Sequence, residues 1–191
     1  MIDFLKREGI VSVTGLPAKL HFILGGARSG KSARALSLAE AALTGKGETP
    51  HLTYIATAEA GDAEMAARIR RHQLERGPRW RTAEIPLHIA TALLQVKDPD
   101  QVIVIDCLTL WLSNLMHAQM DIGAATEELL HALQTCPCPA IILSNEVGLG
   151  VVPDNPVARE FRDHSGRLHQ AMAAQADCVD FMAAGLHLRL K

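Results

Sequence analysis

The residues from Gly25 to Ser32 read Gly-Gly-Ala-Arg-Ser-Gly-Lys-Ser, so Gly25 and Gly30 bracket Gly26, Ala27, Arg28 and Ser29 and are followed at once by Lys31 and Ser32. This is the spacing G-x-x-x-x-G-K-[ST]. Its glycines let the backbone curl until successive N–H groups point inward at phosphate oxygens. In such a loop Lys31 reaches the β- and γ-phosphates of a nucleotide, and the Ser32 hydroxyl binds Mg²⁺. A second piece of the same chemistry is Asp106, which ends the apolar run Val102-Ile103-Val104-Ile105. A phosphate loop needs a carboxylate at a neighbouring strand tip to orient the hydrated Mg²⁺, although an Asp after a strand also serves as an ordinary helix cap.

A third group of residues bears on what is transferred. Glu64, Arg68, His72 and Arg76 recur every four residues and so share one face of an expected helix. Guanidiniums one turn either side of the imidazole disfavour its protonation, which leaves a nucleophilic nitrogen, and they suit a phosphate in transfer. A charged stripe on a helix is more often a solvated face, so periodicity alone does not assign His72 a catalytic role. Of the other histidines, His164 and His169 share a helical pattern with several polar residues. His21, His51, His88, His117, His131 and His187 fit structural positions.

These side chains need a scaffold that brings strand tips and helix starts to one edge. Short β-rich apolar runs alternate with longer helical patterns, the signature of a three-layer α/β fold with a mostly parallel sheet and helices on both faces. The pattern predicts strands at 20–24, 51–56, 102–105 and 140–143. It predicts helices at 31–43, 63–76, 108–119, 124–134 and 156–175. In the last helix Val157, Phe161, Leu168 and Met172 form a stripe expected to face the sheet. The alternating Leu186, Leu188 and Leu190 after Gly185 predict a C-terminal β-hairpin. Asn145 and Glu146 follow a predicted parallel strand, where ligands of open α/β sheets bind, and are expected near the substrate or the metal, although a loop cap with satisfied backbone fits them as well.

Composition narrows the function classes. A chain of 191 residues, 48% hydrophobic and 21% charged, fits one globular domain, here residues 20–191 behind an N-terminal extension of residues 1–19. With 19 basic and 21 acidic side chains it lacks the charge footprint of a general nucleic-acid binder. Cys107, Cys136, Cys138 and Cys178 make no CxxC pair and are expected as reduced, mostly buried thiols. No apolar run approaches a membrane span, and Lys6, Arg7 and Glu8 interrupt any signal-like core, so a cytoplasmic location is expected.

Several segments together, in order along the chain, resemble the family of bifunctional adenosylcobinamide kinase and adenosylcobinamide-phosphate guanylyltransferase. They are Gly25 to Ser32, Tyr54 to Ala58, Glu64 to Ile69 leading to His72, Trp80 to Glu84, Asp106 to Thr109 with Asn114-Leu115, Asn145 to Gly150 with Pro153, and Phe161 to Asp163 with Gly166-Arg167. The resemblance implies a RecA-like P-loop NTPase fold. It also implies phosphorylation of adenosylcobinamide by ATP or GTP, then transfer of GMP from GTP to the resulting phosphate with release of pyrophosphate. By position it assigns the guanylylated histidine to His72. It assigns nucleotide or Mg²⁺ contacts to the loop Gly25 to Ser32, to Ala56, Thr57 and Ala58, to Glu84 and to Asp106. A corrinoid substrate and a homotrimer are further implications. The chain departs from the family at residues 1–19, in the extra stretch 44–50, and at His169, where the family more often has Asn before Gln170. A monofunctional P-loop kinase would use the same loop and Asp106 without a covalent role for His72, and a nucleotide-gated binding module would transfer nothing to cobinamide.

Overall fold

The computed structural model describes residues 18–42, 52–58 and 79–191. The expected helix at 63–76, with His72, lies outside them, as do residues 1–17 of the extension and the stretch 44–50. The elements in chain order are β1 (Leu20–Gly25), α1 (Lys31–Ala42), β2 (Leu52–Ala56), β3 (Trp80–Glu84), α2 (Ile89–Leu94), β4 (Val102–Asp106), α3 (Leu108–His117), α4 (Ile122–Thr135), β5 (Ala140–Asn145), α5 (Pro156–Gln175), β6 (Cys178–Ala183) and β7 (Leu186–Arg189). They build one sheet in the order β3-β2-β4-β5-β1-β6-β7. All pairings are parallel except β6 with β7.

Strand alternation sorts the side chains into two cores. Ile103 and Ile105 of β4, with Phe22 of β1 and Ile142 of β5, pack beneath Leu93, Trp111, Leu129, Leu168 and Met172 from α2 to α5. Val102 and Val104, with Ile23 and Leu143, pack on the opposite face against Ala35, Leu38 and Ala39 of α1. Burial on both faces explains why β1, β4 and β5 read as continuous apolar runs. Helix ends follow capping chemistry. Asp121 accepts from the Ala124 N–H at the start of α4, and Asn155 accepts from Val157 and Ala158 with Pro156 opening α5.

The structure corrects the sequence expectations at several points: helix α2 (Ile89–Leu94) is absent from the predicted helices, and α4 starts at Ile122 rather than at residue 124. Strand β3 is absent from the predicted strands because Trp80 alone of its five residues is buried, which removes the apolar signal. Helix α3 ends at His117 rather than at residue 119, with Gln119 turned to φ 54°. Val157 does not face the sheet: it is 63% exposed, while Leu168 and Met172 are buried. Val157 lies in the first turn of a 20-residue helix, about 30 Å long, whose buried positions begin only at Ser165.

The hairpin is anchored by charge. Asp180 of β6 is fully buried and takes hydrogen bonds from His21 at 3.0 Å and from Arg189, with Arg34 at 3.5 Å. Burial raises the Asp180 carboxyl, but the His21 and Arg189 hydrogen bonds outweigh it and hold the group well below the carboxylate range. Burial lowers the His21 imidazole, and Asp180 opposes that shift only in part while Arg189 and Arg34 add to it. The folded protein therefore keeps His21 neutral to lower pH than the unfolded chain, which takes up a proton below the ordinary value of 6.5. Its contribution to stability is full above that value and is lost as pH falls toward the folded-state pKa. Urea unfolding at pH 7.5 and 5.5 is expected to show lower stability at the acid end, with a smaller loss in His21→Gln. Equal losses in the two proteins would remove His21 as the cause.

Candidate active site

The loop between β1 and α1 takes its shape from positions where no Cβ fits. A Cβ on Gly25 would lie 2.4 Å from the Met182 carbonyl oxygen of β6 and 2.8 Å from Ser29 Oγ. Gly30, at φ 99°, would place one 3.2 Å from Gly185 Cα at the β6–β7 turn. That turn holds Ala184 and Gly185 at φ 51° and 80°, the sign a two-residue type I′ hairpin requires. The Gly185 N–H then donates to the Ser29 carbonyl at 3.0 Å, so the hairpin tip supports the loop from behind.

Inside the loop the Lys31 ammonium is buried and donates to the Gly25 and Gly26 carbonyls at 3.0 and 2.7 Å. Ser32 Oγ donates to Asp106 Oδ2 at 3.0 Å, across the gap between α1 and the tip of β4. Tyr54 Oη donates to the same carboxylate oxygen from β2. A hydroxyl and a carboxylate this close, both hard oxygen donors beside a phosphate loop, suit Mg²⁺.

One row of paired residues across the sheet runs Glu84, Ala56, Asp106, Leu143, Ile23. The sequence-derived candidates therefore share one edge but not one spot. The loop residues Gly25 to Ser32 and Asp106 come together. Ala56 and Glu84 extend away toward the edge strand β3, and Glu84 lies four strand spacings, about 19 Å, from β1. Thr57 is fully buried, and its side chain is engaged internally: Oγ1 donates to the Cys107 carbonyl and accepts from the Cys107 N–H, both at 2.8 Å. The described residues break off after Ala58 and resume at Arg79, and His72 lies in the stretch between, outside them.

Sequence reasoning from the residues does not reach how these tips are held. Asn114 of α3 donates to the Thr57 and Pro86 carbonyls at 2.9 and 3.0 Å, which ties the ends of β2 and β3 to the helix after Asp106. Thr109 Oγ1 accepts from the Asn145 N–H at 2.6 Å and shares a hydrogen bond with Ser144. Ser144 in turn shares one at 2.8 Å with His169, whose Nδ1 lies 3.8 Å from Glu146 Oε2. Burial lowers the His169 imidazole, with Glu146 opposing. The sequence signals for this chain of contacts are the placement of Asn145 and Glu146 at a strand end and of His169 on a helical pattern with several polar residues.

The sequence profile of cobinamide kinase / cobinamide phosphate guanyltransferase matches residues 21–190. A bifunctional adenosylcobalamin biosynthesis protein of Pseudomonas aeruginosa is 44% identical over 172 residues, covering 88% of this chain and 95% of its own. A bifunctional adenosylcobalamin biosynthesis protein of Salmonella typhimurium is 39% identical over 184 residues, covering 88% and 98%. Among solved structures, the flagellar accessory protein FlaH from Methanocaldococcus jannaschii superposes with TM-score 0.55 at 15% identity, over 99% of this chain and 84% of its own. A second solved structure, an ATPase domain, does so with TM-score 0.51 at 16% identity, over 88% and 71%. These two similarities establish the RecA-like P-loop fold.

Substituting Gly25→Ala is expected to weaken Mg²⁺-nucleotide binding by about tenfold or more, or about 1.4 kcal/mol, because the added Cβ meets backbone rather than a movable side chain. Calorimetric titration checks this, and unchanged affinity would mean that the loop does not hold the phosphates.

Proposed function

This chain belongs to the cobinamide kinase / cobinamide phosphate guanyltransferase family, and from that membership we propose how its residues divide the work. The protein is a transferase of adenosylcobalamin biosynthesis that phosphorylates cobinamide and transfers a guanylyl group to cobinamide phosphate. The observation that carries the assignment of the site is the loop from Gly25 to Ser32, with buried Lys31 inside it and Ser32 hydrogen-bonded to Asp106. In the first reaction the loop N–H groups and Lys31 hold the phosphates of ATP or GTP, so that the acceptor hydroxyl oxygen meets the γ-phosphorus in line. Ser32 and Asp106 would hold Mg²⁺, which when bound neutralises charge on the phosphate oxygens.

For the second reaction His72 is the proposed nucleophile. Its ring nitrogen forms a bond to the α-phosphorus of GTP as the bond to the bridging oxygen breaks and pyrophosphate leaves. A cobinamide phosphate oxygen then takes the guanylyl group, and the P–N bond breaks to restore the imidazole. Support comes from Arg68 and Arg76, four residues either side in the sequence, whose guanidiniums suit a phosphate in transfer. The adenosylated form of cobinamide is the proposed substrate and the cytoplasm the proposed location; among the described residues no helix is long and apolar enough to cross a membrane. A homotrimer is also proposed. Supporting it, the edge strand β7 exposes Leu186 and Leu188, followed by Leu190.

Incubation with Mg²⁺ and GTP labelled at the α-phosphate is expected to leave acid-labile, base-stable label on the wild-type chain and none on His72→Ala. Equal labelling of both proteins would exclude His72, and an unlabelled wild type would exclude the covalent route.

A further inference from the structure

We propose that the Glu146 carboxylate accepts the proton of the cobinamide hydroxyl during phosphoryl transfer, with His169 as the residue that positions it. The inference rests on the kinase reading above and adds to it the group that the hydroxyl requires. An alcohol holds its proton at neutral pH, so its attack on phosphorus needs a nearby base, as in kinases that use a carboxylate for this purpose. The second reaction has no such need, because its acceptor is a phosphate monoester, already ionised at neutral pH.

Three carboxylates stand at or just past the tips of parallel strands among the described residues: Glu84, Asp106 and Glu146. Asp106 takes hydrogen bonds from Ser32 and Tyr54 on one oxygen and belongs to the Mg²⁺ site. Glu84 lies four strand spacings from the loop strand, about 19 Å. Glu146 follows β5, the strand between β1 and β4, and so between the phosphate loop and Asp106. Its N–H donates to the Gly25 carbonyl at 3.1 Å, the same oxygen that receives Lys31 Nζ at 3.0 Å.

The side chain is held without being used up. Oε1 accepts from the Gly148 N–H, and Oε2 faces His169 Nδ1 at 3.8 Å. His169 is fixed in turn by Ser144 at 2.8 Å, by Ser165 at 3.3 Å and by the Phe22 ring. The Glu146 side chain remains 21% exposed, enough to take a proton from a bound hydroxyl and return it to water. In the step, the substrate O–H bond breaks and the proton passes to Glu146. The freed oxygen pair bonds to the γ-phosphorus, and the bond from that phosphorus to the bridging oxygen breaks, its electron pair leaving with the nucleoside diphosphate.

The test measures two reactions separately in the full-length protein: phosphorylation of cobinamide by ATP, and GMP transfer from GTP to preformed cobinamide phosphate. Glu146→Gln keeps an oxygen for the Gly148 N–H and removes the base. It is expected to lower the phosphorylation kcat by about a hundredfold or more with nucleotide KM and GMP transfer nearly unchanged. His169→Gln is expected to lower the same kcat by a smaller factor, again without change in nucleotide KM. Phosphorylation that survives Glu146→Gln would overturn the proposal, and so would equal loss of both reactions, which would mark a structural or shared role. A wild-type protein that transfers GMP but does not phosphorylate cobinamide would instead overturn the kinase reading on which the proposal rests.

Discussion

The absence of a Cβ at Gly25 is the constraint on which the rest of the site depends. Because β6 approaches so closely that its Met182 carbonyl occupies the space a side chain would need, only glycine lets the backbone of β1 turn there. The turn leaves the Gly25 and Gly26 carbonyls facing the Lys31 ammonium, and the Gly25 carbonyl also receives the Glu146 N–H. One peptide oxygen thus joins the end of β5 to the phosphate loop and its lysine. A larger residue would separate all three.

The sheet order turns that local packing into a site. Parallel strands buried on both faces bring their C-terminal ends to one edge, and β5 sits between the loop strand and the strand carrying Asp106. The hairpin that closes the sheet supports the loop from the other side, through Gly185 on Ser29 and through the buried Asp180. Removing one partner from such a buried charged group costs several kcal/mol, about 3–5 in comparable cases, so the hairpin is firmly seated where the loop leans on it.

Much of this is legible in the sequence because the features involved are local. The G-x-x-x-x-G-K-S spacing, the apolar run ending in Asp106 and the alternation around Gly185 each reflect a constraint within a few residues, and the structure places all three as expected. What is not legible depends on pairing across long separations. Trp80 to Glu84 carries no alternating pattern because only Trp80 is buried, yet the segment pairs with β2 along its whole length. Val157 matches the helical period of the buried stripe, yet the buried positions of α5 begin only at Ser165. Thr57 stands among the candidate nucleotide contacts, but its hydroxyl holds both polar groups of Cys107, fifty residues on. The link from Ser144 through His169 to Glu146 joins β5 to α5, and neither segment alone shows that the two meet.

The account holds that one chain carries out two successive transfers on one substrate. The direct test is to incubate the pure protein with cobinamide, Mg²⁺, ATP and GTP and to follow products by mass over time. It predicts cobinamide phosphate rising first and then falling as a species heavier by a guanylyl group replaces it. Accumulation of cobinamide phosphate without the second product, or the absence of both, would contradict it.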